Sequence, residues 1–488
     1  MKSIARVLWL PAGLAAIFFF AHLPYLHLPY FWDELGQFVP AALDIFRDAA
    51  WVPHSTVPNA HPPGVMAYLA LVWRVFGYSI AATRSAMLAL AMLALVFTFA
   101  LGRLLAREDL KPAAIAALLL ALDPLFYTQG MMAQLDMPAM LFTVLALVLF
   151  LLDWHIAAAV ACAALVLSKE TGAILPLILG AVLFFDAKRS KTAALYLAPF
   201  FALALWFLFL WRSTGHLFGD PGFTQYNMWY SLNPVRASLS LLRRFYYLFI
   251  DDLRWVGAVA IVYAWRRERI YATRAWKIMW GFIAAHVLLV SLLGGAGLER
   301  YLLPVLPLVY LAMAAALAVI SPMWRAIGVS AMCVGLLAGL FLNPPFPMPF
   351  ENSLAMADFV ELHQSAAQFL ETSYAANTIY TAWPLTQALR DPAFGYVDRK
   401  LSAQETSDLH FSTLNALDPN AVDVLVLYSR TWEPRWGVLH WAPARDFLER
   451  FYEYERQMTP AEVREHFGLV PVHRWAQHGQ WIEVYARP

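Results

Sequence analysis

Apolar residues fill long stretches of the chain, and polar residues are confined to short breaks between them. A helix crosses a bilayer with roughly 17–25 apolar residues, and about eleven runs, some of them short, approach that length. The first covers Val7 to about Leu28, behind Lys2 and Arg6. It lacks a small-residue cleavage site, so it reads as a retained first helix with its N-terminus inside. Pro29 to His61 is polar and Pro-rich, too irregular to cross lipid, and is expected outside. His61–Gly77 is apolar but opens with Pro62-Pro63 and carries Arg74, which predicts a helix lying at the interface.

Further spans are expected over Arg84–Gly102, Ala113–Phe126, Pro138–Leu152, Ile156–Leu167 and Thr171–Phe185. Others follow over Ala193–Trp211, Phe245–Trp265, Trp276–Leu293, Leu302–Ile320 and Trp324–Leu342. This order puts every basic cluster on one side: Arg103, Arg107 and Lys111; Lys188, Arg189 and Lys191; Arg266, Arg267, Arg269, Arg274 and Lys277. One-sided basic loops mark the inner face.

The pattern changes after residue 341. A Pro-rich linker, 342–349, leads into a stretch whose polarity suits a soluble domain, 350–488. A helix is predicted near Ser353–Ser373 and strands at Thr378–Trp383 and Val422–Tyr428. Trp475–Tyr485, with Gly479 at the turn, reads as a hairpin. A small extracytoplasmic α/β domain is the expectation.

Composition excludes the main alternatives. The chain has 488 residues, 61% hydrophobic and 14% charged. Soluble domains sit near 45–50% apolar and about 25% charged. A soluble enzyme and a disordered scaffold are both ruled out. The net charge of +1 hides a split: residues 342–488 hold 18 acidic against 11 basic residues, the rest 16 against 24. The basic excess follows the inner loops and does not suggest a nucleic-acid partner. Cys162 and Cys333 both lie in apolar runs and read as packing residues.

The carboxylates carry the chemistry. Of the 16 in residues 1–341, the topology faces only Glu108, Asp109, Asp153, Asp186 and Glu268 inward. The others sit at outer helix ends or in outer loops. Ionisable groups at a membrane edge are costly and mark function by default. An active site at the outer face is therefore expected. Asp33-Glu34 follows two aromatics just beyond the first helix; adjacent acids can raise one pKa and make a general base. His61-Pro-Pro63 fixes a His at an interfacial helix start. Asp136 opens a span within Gln134-Leu-Asp136-Met-Pro138, and Lys169-Glu170 forms a charged tip within Ser168-Lys-Glu-Thr-Gly172. Glu299-Arg300-Tyr301 enters another span from outside; an Arg at that depth suits a lipid phosphate. Each has a plainer reading as a cap, a turn or a snorkelling side chain. No zinc spacing, phosphate-binding Gly-rich loop or dinucleotide fingerprint is present.

Taken together these motifs resemble the polyprenyl-phosphate-dependent glycosyltransferases of the GT-C fold, in particular the protein O-mannosyltransferases and the lipid A aminoarabinose transferase. Asp33-Glu34, His61-Pro62-Pro63, Gln134-Leu-Asp136-Met-Pro138, Ser168-Lys-Glu-Thr-Gly172 and Arg300-Tyr-Leu-Leu-Pro304 stand in that family's order over residues 1–341. The resemblance implies an inverting transfer from a polyprenyl-phosphate sugar to a hydroxyl of a protein, lipid or glycan, in a bacterial inner membrane. It implies that Asp33 is the base or acceptor binder, with Glu34 orienting an outer-loop partner. His61, Lys169 and Arg300 would neutralise the leaving phosphate, and Asp136, Glu170, Glu299 and Tyr301 would complete the binding site. No nucleotide cofactor is implied and no metal is predicted. Two positions depart from the family: Leu35-Gly36-Gln37 follows the acidic pair, and Gly64 follows the prolines where Leu is usual. Both are near the expected acceptor side. A flippase for lipid-linked sugars and a non-catalytic envelope assembly protein are the competing readings.

Overall fold

The structure is a computed structural model and describes residues 2–106, 109–186, 189–433 and 441–488. Arg107, Glu108 and Lys188 of the expected inner loops lie outside the described residues. The chain divides into two units, Met1–Pro24 with Ala41–Phe341, and Tyr25–Pro40 with Leu342–Pro488. The loop after the first helix, which holds Asp33 and Glu34, thus groups with the C-terminal residues.

The first unit is helical. Among the described residues, Ile80–Leu105, Ser190–Thr214, Arg274–Leu292 and Pro322–Phe341 are long and apolar enough to cross a membrane. Shorter apolar helices include Leu110–Leu122, Asp136–Leu151, His155–Ser168 and Leu306–Ala318. Ile80–Leu105 begins where the Ser79 hydroxyl accepts the Ala82 N–H at 3.1 Å. At its other end a Cβ on Gly102 would lie 2.8 Å from Ala113 Cα. The two helices cross closely because no side chain separates them. Leu306–Ala318 is apolar all round and almost wholly buried, which makes it the central helix of this unit.

The apolar run expected as one span at Phe245–Trp265 is broken. An amphipathic helix, Pro234–Phe249, ends before a turn at Asp251–Leu253, and a second helix runs Trp255–Arg267. Asp252 and Leu253 take left-handed backbone with φ of 48° and 62°. The turn seats on glycines of Pro322–Phe341: a Cβ on Gly335 would lie 2.3 Å from the Asp252 carbonyl oxygen. The interruption is built on both sides.

The second unit contains a mixed five-stranded sheet, β1 Ile379–Ala382, β2 Ala403–Thr406, β3 Val424–Tyr428, β4 Val470–Gln477 and β5 Gln480–Ala486. Its order is β2-β1-β3-β5-β4. β1 pairs parallel with β2 and β3, whereas β5 pairs antiparallel with β3 and β4. β3 is buried throughout, as its unbroken Val-Leu-Val-Leu-Tyr run requires. His478 and Gly479 both have positive φ, which suits the two-residue turn joining β4 to β5. Helix Ala355–Ser373 packs on this sheet.

Candidate active site

Three helix termini of the first unit bring their charges to one place. Asp136 lies in the first turn of Asp136–Leu151; Lys169 directly follows His155–Ser168; Glu299 and Arg300 form a single turn before Leu306–Ala318. Asp136, Lys169, Glu299 and Arg300 are each no more than 6% exposed. Burial of that degree demands partners.

Lys169 Nζ donates to Asp136 Oδ1 at 2.5 Å, and Arg300 Nε approaches Asp136 Oδ2 at 3.5 Å. Arg300 Nη1 donates to the Gln134 side-chain oxygen at 2.6 Å. Tyr301 stands among the cations: Lys169 Nζ is 4.1 Å from its ring centre, Arg300 Cζ 5.6 Å and Arg244 Cζ 5.8 Å. The ring face attracts each of them. His286 Nε2 donates to the Tyr301 carbonyl at 2.8 Å, which fixes the tautomer and leaves Nδ1 buried without a hydrogen-bond partner.

His61 and Glu170 join from the side. His61 Nδ1 lies 2.9 Å from Glu170 Oε2, and its ring meets the edge of Phe223. The unusual Gly64 has a steric cause here: a Cβ would lie 2.4 Å from the Leu167 carbonyl oxygen. Only glycine lets the start of Gly64–Phe76 press against the chain leading to Lys169.

Contacts thus connect Asp136, Lys169, Arg300 and Tyr301, while His61 and Glu170 form a second pair and Glu170 and Glu299 reach the group as chain neighbours of Lys169 and Arg300. Asp33 and Glu34 lie in the second unit. Glu34 is fully buried and its Oε2 accepts the Phe31 N–H at 2.8 Å. Asp33 precedes the helical turn Glu34–Phe38, makes no capping bond to it and is half-buried. The pair thus stands at a helix N-terminus, as its plainer reading has it, although Glu34 is buried and Asp33 makes no side-chain cap bond.

Sequence reasoning missed Arg243, Arg244 and His286, and did not single out Gln134 as a ligand. Arg243 Nε pairs with Glu299. Arg244 is 1% exposed and donates to the carbonyls of Leu298 at 3.1 Å and Val290 at 2.5 Å. Among the described residues its Nε has no hydrogen-bond partner and no carboxylate is bonded to it. An arginine remains charged at any physiological pH, so this is a buried cation without a bonded counter-ion. The helical period of Pro234–Phe249 puts Arg244 with Tyr247 and Leu248 on one face, but only the structure shows that this face is buried.

Two other carboxylates expected at the outer face, Asp123 and Asp44, have partners of their own. Asp123 and Arg254 form a fully buried pair at 2.6 Å, joined by the hydroxyls of Tyr310 and Tyr247. Asp44 Oδ2 accepts three bonds from His54 and Ser55. Asp44, Asp48 and His54 place donor atoms within 4.8 Å of one another and could hold a metal ion, but two of the three are exposed.

The fold, the buried charges and the comparisons point one way. The fold is that of multi-pass membrane proteins of the GT-C type. Residues 60–211 match the model of the family described as dolichyl-phosphate-mannose-protein mannosyltransferase. The structure is similar to ArnT from Cupriavidus metallidurans bound to undecaprenyl phosphate, with TM-score 0.58 and 14% identity, covering 97% of each chain. It is also similar to the oligosaccharyltransferase AglB from Archaeoglobus fulgidus in complex with an inhibitory peptide and a dolichol-phosphate. That match has TM-score 0.56 and 12% identity, covering 99% of this chain and 74% of AglB. No curated protein matches the chain by sequence.

Proposed function

We propose that the chain is an inverting glycosyltransferase that moves a sugar from a polyprenyl-phosphate donor to a hydroxyl acceptor at the outer face of a bacterial inner membrane. The observation that carries this reading is the buried cation Arg244, lacking a bonded carboxylate, beside Lys169 and Arg300 around Tyr301. A lipid phosphate supplies the missing negative charge. Preorganised cations also stabilise charge as it develops on a leaving phosphate.

In this reading an acceptor oxygen attacks the anomeric carbon from the face opposite the phosphate. The new bond forms as the bond from that carbon to the phosphate oxygen breaks, and its electron pair stays on the phosphate. Lys169, Arg300 and Arg244 neutralise that charge, and His61 assists from its pairing with Glu170. The acceptor proton passes to Asp33. Asp136 and Gln134 hold the lysine and arginine in place. About eleven spans bound the site, the N-terminus is cytoplasmic, and residues 350–488 are extracytoplasmic behind the 342–349 linker.

The test is transfer in washed membranes from a panel of labelled polyprenyl-phosphate sugars, comparing wild type with Asp33→Asn. Removing a general base lowers the rate by about 10²–10⁴-fold with donor binding intact. An unchanged rate would remove Asp33 from the mechanism. No transfer from any donor by folded wild type would favour a flippase.

A further inference from the structure

Residues 25–40 and the C-terminal residues form one unit, and within it the Asp33 loop has two sides. Tyr30, Phe31, Glu34, Leu35 and Phe38 are buried beneath. Trp32, Asp33, Gly36 and Gln37 are half-buried and form the open side. The C-terminal residues fasten the buried side: Tyr396 donates its hydroxyl to the Tyr30 carbonyl at 2.6 Å, and Phe359 meets the Phe31 ring edge-on.

They also furnish the open side. Trp383 stands edge-on to Trp32, ring centres 5.3 Å apart. Arg430 Cζ lies 5.3 Å from the Trp32 ring centre, and its Nη2 donates to the Trp383 carbonyl at 3.3 Å. Trp383 and Arg430 are themselves half-buried. A Cβ on Gly36 would lie 1.9 Å from Trp383 Nε1. The Trp383 indole therefore takes the space that a side chain at position 36 would fill. Trp32 is held at φ 45°, a left-handed conformation disfavoured for a bulky residue. Such strain is kept where the surroundings fix it, commonly at binding sites.

The geometry points to Trp383 and Arg430 as acceptor-binding residues that, with Trp32, form a saccharide subsite beside Asp33. Indole rings cover the apolar C–H face of a pyranose. A guanidinium and a carboxylate together hold its hydroxyls, the first donating and the second accepting. This inference rests on the transferase reading, because it places the acceptor hydroxyl next to the proposed base. It accounts for the departure at Leu35-Gly36-Gln37: the wall of the acceptor site comes from the C-terminal residues instead of the loop itself.

The experiment uses full-length protein in vesicles, with methyl glycosides of common hexoses as saccharide acceptors and a Ser/Thr-rich peptide as the alternative. Trp383→Ala should raise the acceptor KM on the order of tenfold while leaving the donor KM unchanged. Trp383→Phe should recover most of the loss, since it keeps an aromatic face. A merely structural role for Trp383 would move both KM values together, and that result overturns the inference. Transfer to the peptide and not to the glycosides overturns it too. A donor-free calorimetric titration with the same glycosides separates the two readings. Trp383-dependent binding without donor consumption keeps the saccharide subsite and sinks the transferase; neither binding nor transfer removes both.

Discussion

Two buried clusters in the first unit use the same residue types and differ in how completely they are paired. In one, Arg254 and Asp123 are both fully buried, and Tyr247, Tyr310 and Asp252 supply further partners. In the other, Lys169 and Arg300 converge on Asp136, Glu299 pairs with Arg243, and Arg244 donates to backbone carbonyls. Burying a charge is expensive unless it is paired. The closed cluster has met that requirement from its own side chains and needs nothing more. The open cluster has an excess of cations, which the proposed lipid phosphate would balance.

The largest expected effect separates the two. Asp123→Ala removes the fully buried partner of Arg254, leaving only the longer contact to Asp252, and should cost about 3–5 kcal/mol of stability. Thermal unfolding in detergent would show it, and donor KM in the surviving fraction should not move. A donor-binding defect in a normally stable Asp123→Ala protein would erase the distinction between the clusters.

Arg244→Met makes the opposite prediction. It removes an incompletely paired buried charge, so the ligand-free protein should be as stable as wild type or more so. Affinity for polyprenyl phosphate should fall about 10- to 100-fold, the worth of a charge-assisted phosphate contact. Polyprenyl phosphate should raise the melting temperature of wild type much more than that of the variant. Equal shifts would place the phosphate elsewhere.

Much of the open cluster was legible because its parts sit at helix ends. His61, Asp136, Lys169 and Arg300 each interrupt an apolar run, so hydropathy alone marks them. Arg243 and Arg244 were not legible. They lie inside an amphipathic helix whose charges look like those of any interfacial helix, and sequence does not say which face turns inward. The break at Asp251–Leu253 was hidden for a related reason. Two acids in a long apolar stretch do not cancel a span, and the glycines that receive them are about 80 residues away in sequence. In the second unit, β3 and the hairpin announce themselves by apolar content and a turn glycine. β2, Ala-Gln-Glu-Thr, has neither and is a strand through its pairing with β1. That residues 25–40 group with the C-terminal residues is a long-range fact that no local pattern carries.

An incompletely bonded buried polar atom is not by itself a binding site, and His363 of the second unit shows why. Its Nδ1 donates to the Phe359 carbonyl at 2.7 Å, its ring stacks on Phe359, and Nε2 has no hydrogen-bond partner. Burial pulls its pKa down to about 3, against the opposing bond to the Phe359 carbonyl. The folded form therefore holds a neutral ring. As pH falls below about 6.5 the unfolded chain takes up the proton first, so stability is full above that pH and declines toward pH 3. The loss should reach about 2 kcal/mol at pH 5. Amide exchange in helix Ala355–Ser373 should quicken accordingly, and His363→Phe should remove that part of the pH dependence. Unaltered pH dependence in the variant would mean the ring is charged in the fold.

The smallest effect concerns the rim of the open cluster. His61 and Glu170 form a pair at 2.9 Å with side chains 17% and 23% exposed. Pairs with that access to water contribute about 1 kcal/mol at most. Glu170→Gln should therefore leave the melting temperature nearly unchanged. Its effect on transfer should exceed its effect on stability, because the amide holds the His61 ring less firmly beside the chain that carries Lys169. If Glu170→Gln instead unfolds the protein as Asp123→Ala does, the rim belongs with the closed cluster, and only Lys169, Arg244 and Arg300 are left to receive the proposed phosphate.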